Sequence, residues 1–133
     1  IRILRTMDHL DLSQVITQDF LDTLFPTSIS DQFFEALYGD ASEGAYDIRL
    51  EYISSNTERL VLAFNLTKRA GKCLVCSLTY GLPNVFSRHP LININGMVEK
   101  LRQDGVNVKS WRIGQTEENS DALHVIPLFL DLE

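Results

Sequence analysis

Ala45-Tyr46-Asp47-Ile48-Arg49-Leu50-Glu51-Tyr52 is the stretch on which the fold turns: Tyr46, Ile48, Leu50 and Tyr52 alternate with Asp47, Arg49 and Glu51. Successive side chains of a strand point to opposite faces, so a period of two predicts a strand with one buried and one wet face. One-sided burial of this kind is typical of antiparallel sheets. The same alternation returns in Leu60, Leu62, Phe64 and Leu66 after the polar turn Ser54 to Thr57, which predicts a hairpin. After the turn Lys68-Arg69-Ala70-Gly71 comes a third set, Leu74, Cys76, Leu78 and Tyr80, so a three-strand meander is expected.

Outward from this sheet the period changes to that of helices. On the N-terminal side Asp11 is the expected N-cap of a helix carrying Leu12, Val15, Ile16, Phe20 and Leu24 on one stripe and stopping before Pro26. A second helix fits Ser30 to Tyr38, with Gly39 as its left-handed stop. On the C-terminal side, Gly81 to Ile92 is expected to be a structured loop. Ile94, Met97, Val98 and Leu101 then fall at helical spacing, with Asn93 as N-cap and Asp104-Gly105 as stop. Val106 to Ile113 and Leu123 to Leu132 read as two final strands joined by a polar loop from Gly114 to Ser120. Pro127 assigns the last strand to an edge or a bulge. The expected architecture is one two-layer α+β domain over residues 1–133, with an antiparallel sheet of about five strands and the order α-α-β-β-β-α-β-β.

Composition bounds the function. The 133 residues are 44% hydrophobic and 23% charged, the usage of an ordinary globular protein. Eighteen acidic against twelve basic residues give a net charge of −6, which disfavours nucleic acid and anionic membranes as partners. The longest apolar runs, Leu60 to Phe64 and Val125 to Leu130, are far below the ~20 residues of a membrane-spanning helix. The N-terminus has no long apolar segment of signal-peptide type, and two cysteines make no disulfide framework, so a cytoplasmic location is expected.

Cys73-Leu74-Val75-Cys76 has the spacing of zinc ribbons and thioredoxin-like sites. On a strand, residues three apart face opposite ways, and no second pair completes a four-cysteine site. Buried or half-buried structural thiols are therefore expected, with no metal and no cofactor. The three histidines show no metal-binding spacing, and no serine or cysteine has an identifiable base. Lys68, Arg69 and Lys72 form one basic turn, but without the interleaved aromatics that stack bases. The densest group of functional side chains is Asn84 to Pro90 with Asn93 and Asn95 beyond it. Arg88 could grip a carboxylate or phosphate and His89 could move a proton, while Asn93 and Asn95 begin the next helix, whose free amides favour anions. The competing reading is that Asn93 only caps, Pro90 only rigidifies, and Arg88 and His89 are solvated.

Two functions are expected from these residues. The first is a non-catalytic binding or adaptor module, chaperone-like or regulatory, that meets a second copy or another protein through a sheet edge or face. Its motivation is that the wet-face residues Val61, Ala63, Cys73 and Val75 are partly apolar. The element order is also similar to that of type III secretion chaperones, although the last element here is a strand. That resemblance implies a small acidic dimer holding another protein. The alternative is a protein or enzyme that binds a small anionic ligand through Arg88, His89, Asn93 and Asn95.

Overall fold

The computed structural model describes residues 15–40, 44–72 and 81–132. Among them are four helices, α1 (Gln18–Leu24), α2 (Ile29–Tyr38), α3 (Leu82–Phe86) and α4 (Ile94–Gln103). The strands are β1 (Tyr46–Ser55), β2 (Arg59–Lys68), β3 (Val108–Ile113), β4 (Glu117–Ser120) and β5 (Leu123–Leu132). They form one antiparallel sheet in the order β1-β2-β5-β3, with β4 also on β5. The mixed α+β class and an antiparallel sheet of five strands are as expected, although β4 is not among the strands that alternation marks. Among the described residues no helix is long and apolar enough to cross a membrane.

One face of the sheet makes the core. Ile48 and Leu50 of β1, Leu60, Leu62, Phe64 and Leu66 of β2, and Ile126, Leu128 and Leu130 of β5 are all buried. They pack with Leu21 and Leu24 of α1, Phe33 and Phe34 of α2, Phe86 of α3, and Met97, Val98 and Leu101 of α4. Edge-to-face aromatic contacts run through this layer. Phe34 lies 4.8 Å from Tyr46, Phe33 lies 5.5 Å from Phe34 and 5.6 Å from Phe86, and Phe64 lies 5.3 Å from Phe86 and 5.4 Å from Phe25. Gly44 is required here, because a Cβ on it would stand 2.2 Å from the Phe34 ring.

Several elements differ from the periodicity reading. The first expected helix is interrupted at Ile16 and Thr17, and Thr17 Oγ1 accepts from Phe20 N at 3.2 Å as a new N-cap for α1. The expected N-cap Asp11 lies outside the described residues. So do the expected third strand, Leu74 to Tyr80, and the pair Cys73 and Cys76. The flank of β2 away from β1 is taken by β5, so the strand beside the hairpin comes from the C-terminal end of the chain and not from a meander. Within the expected loop Gly81 to Ile92, α3 forms a single turn with Pro83 in its first turn, where a missing N–H costs nothing. The expected polar loop before the last strand contains β4, whose residues are all exposed and so show no alternation.

Pro127 lies in a central strand, since β5 has β2 on one side and β3 and β4 on the other. Its ring nitrogen faces the gap between β3 and β4, where Gly114 N donates to Pro127 O at 2.8 Å. The missing donor thus falls where the outer ladder is already interrupted.

Candidate functional site

The four sequence candidates each have local roles, and of them His89 and Asn93 are joined, Asn93 N donating to His89 O at 3.0 Å. Asn93, at φ 49°, uses its side-chain oxygen to accept from Gly96 N at 3.2 Å, the helix cap read from the sequence. His89 is half-buried, its ring 5.0 Å from Phe33 and its Nδ1 accepting from Leu91 N at 3.2 Å. Asn95 accepts from Trp111 Nε1 at 2.8 Å and so ties α4 to β3. Arg88 is exposed and forms no ion pair among the described residues. Of the four, Asn95 lines a groove of about 430 Å³ between α4 and β3, together with Glu99, Arg102 and Trp111. The structure does not bring Arg88, His89 and Asn93 to that groove. No group of three His, Cys, Asp or Glu side chains among the described residues is placed to hold a metal.

In the basic turn Arg69 is likewise committed. Arg69 Nη2 lies 2.7 Å from Asp31 Oδ1 of α2, the guanidinium is 3.0 Å from Asp47 Oδ1 of β1, and it stands 5.4 Å from the Phe34 ring centre. It clamps α2 to the first strand.

Both sheet edges are partly closed by side chains. Ser30 Oγ of α2 accepts from Ile48 N at 2.8 Å and donates to Ile48 O, while Gln18 Nε2 of α1 donates to Leu50 O at 2.8 Å. At the other edge Arg102 Nε donates to Val108 O at 2.9 Å. An incoming strand would meet these groups already bonded.

The sheet face away from the core carries an apolar surface of its own. Residues opposite each other in an antiparallel ladder share a face, so the register gives its layout directly. Its rows across β1, β2 and β5 are Asp47, Thr67 and Leu123; then Arg49, Asn65 and Val125; then Glu51, Ala63 and Pro127; then Ser54, Val61 and Phe129. Beyond β5, Glu117 stands opposite Val125, and Arg112 stands opposite Phe129. The middle two strands therefore carry an apolar band framed by charge. Ala63, Val125 and Pro127 are buried at its floor, Val61, Leu123 and Phe129 are half-buried, and Ile53 is 52% exposed beside the β1 bulge. Together they line a groove of about 450 Å³. Asn65 also lines it, and its Oδ1 is a buried side-chain oxygen with no hydrogen-bond partner among the described residues.

Sequence reasoning found Val61 and Ala63 but missed Leu123, Val125, Pro127 and Phe129. The signal was present in the unbroken runs Leu60 to Phe64 and Val125 to Leu130. A strand apolar at successive positions is apolar on both faces, and β2 and β5 are the central pair. Compared with known proteins, the chain matches no family model, no curated protein and no solved structure.

Proposed function

We propose that this protein is a non-catalytic binding module whose contact surface is the outer face of its sheet. The observation that carries this reading is the apolar band of Ile53, Val61, Leu123, Val125, Pro127 and Phe129 on the sheet face opposite the one where the described helices pack. Ile53 is exposed and Val61, Leu123 and Phe129 are half-buried, so a partner that covers the band would release the solvent ordered over them. The partly closed edges favour a face contact over strand addition, because Ile48, Leu50 and Val108 already have side-chain partners. The charged frame of Glu51, Arg112 and Glu117 is the polar rim that protein interfaces carry around an apolar centre.

A photo-crosslinking side chain placed at Phe129 tests this in an extract of the source cells, with the same group at Glu35 on exposed α2 as the control. Protein adducts are expected from position 129 and not from position 35. Equal adducts from both positions, or none from position 129, would remove the outer face as the contact surface.

A further inference from the structure

We propose that the partner of this face is a second copy of the chain, docked face to face about a two-fold axis that crosses the strands at Ala63 and Pro127. The inference rests on the outer face being the binding surface, and its carrier is the placement of charge on that face. Arg59 is neutralised within the chain by Asp131 at 3.1 Å, Arg49 by Asp22 at 3.1 Å, and Asp47 by Arg69. Arg112 and Glu117 are both exposed, and neither has an ion-pair partner among the described residues. They stand on the same flank of β5, opposite Phe129 and Val125, which are two residues to either side of Pro127.

A two-fold axis lying in the face and crossing the strands at Pro127 exchanges those two positions. Arg112 of each copy then meets Glu117 of the other, and the pair occurs twice, as an isologous contact requires. The same operation sets the half-buried Phe129 ring over Val125 of the other copy and brings the small Ala63 floors together. Twisted sheets pack face to face in this way with their strands near-aligned, at about −30°. The Arg112 guanidinium already lies 4.4 Å over the Phe129 ring centre, so the charge that would seek Glu117 is held at the rim of the apolar band.

Area is sufficient. Four strand columns at ~4.8 Å spacing and a nine-residue register at ~3.4 Å per residue span roughly 20 Å by 30 Å. That is about 600 Å² from each copy, which together reach the lower bound of ~1,200 Å² for specific interfaces. The net charge of −6 opposes self-association in general, but the pairing brings opposite charges together. One feature works against the dimer and gives it a signature. Glu51 lies in the Ala63 row on the β1 side, so the axis sets the two Glu51 carboxylates beside each other.

Sedimentation velocity over a concentration series tests the pairing. The wild-type chain is expected to dimerise, with Arg112→Glu and Glu117→Arg each weakening the dimer by about tenfold or more through two new like-charge contacts. An equimolar mixture of the two variants should form a heterodimer, because one copy then presents two carboxylates and the other two guanidiniums. The double variant R112E/E117R should recover the homodimer, and Glu51→Gln should tighten it. Circular dichroism melting of each variant confirms that the exposed substitutions leave the fold intact.

A chain that stays monomeric at several hundred micromolar overturns the proposal, as does a dimer indifferent to both charge reversals or a mixture that fails to associate. A strict monomer that still gives protein adducts from position 129 removes the second copy and leaves the binding face. A strict monomer without such adducts removes both.

Discussion

At the scale of single residues, Asp22 shows how a local pair sets a pH dependence. Its carboxylate accepts from Arg49 Nη2 at 3.1 Å and Nε at 3.3 Å, and from Gln18 Nε2 at 2.9 Å. The Arg49 hydrogen bonds, and then the Gln18 bond, hold its pKa below the usual carboxylate range. A carboxyl group with a lowered pKa in the folded chain adds stability that is complete above its unfolded value of about 3.9 and is lost as the pH falls through the folded value. Asp22→Asn is therefore expected to melt slightly below wild type at pH 7, with the gap closing in acid below about pH 4. The effect is small because both side chains are partly exposed. Thermal melts of the two proteins from pH 7 to pH 2 check this, and a gap that persists undiminished in acid contradicts it. Residue identity alone gave part of such roles: Asn93 as a cap and Gly39 as a left-handed stop at φ 78° follow from their chemistry. The tie between Asn95 and Trp111 did not, because it joins residues sixteen apart whose meeting depends on where β3 lies.

Among the elements, β1 was the most legible and its edge the least. Its alternation reflects burial that every second residue shares, which sequence shows plainly. Whether its outer backbone groups are free depends on Ser30 and Gln18, which reach it from other elements. Ser30→Ala leaves the buried Ile48 N–H and C=O without that partner and is expected to cost about 1–3 kcal/mol. A urea titration reads this as a lower midpoint with the slope unchanged. An unchanged midpoint would mean the β1 edge does not need the helix. The short elements escaped notice for a related reason. A turn of helix such as α3 or a four-residue strand such as β4 is too brief to display a period, and β4 has no buried face to mark it.

Across the whole molecule, the aromatic contacts join Phe25 at the end of α1, α2, α3 and the sheet into one packed unit. Phe86 touches both Phe33 and Phe64 and is fully buried, so it links the α2 layer to β2. Phe86→Ala is expected to lower stability by about 3–5 kcal/mol while unfolding remains a single transition. Coincident fluorescence and circular dichroism curves in urea check this. Separated curves would show that the helices and sheet melt independently.

The sequence by itself determined that this is an α+β protein with an antiparallel sheet, because strand and helix periods record local burial residue by residue. It also held the two-faced apolar character of β2 and β5 in their unbroken apolar runs. Only the tertiary structure decided that β5 lies beside β2, that Arg69 and Asn95 serve neighbouring elements, and that Val61, Phe129, Arg112 and Glu117 share one face. Those facts depend on register between strands far apart in the chain, and pairing of that kind is set by the packing of the whole sheet, which no local pattern encodes.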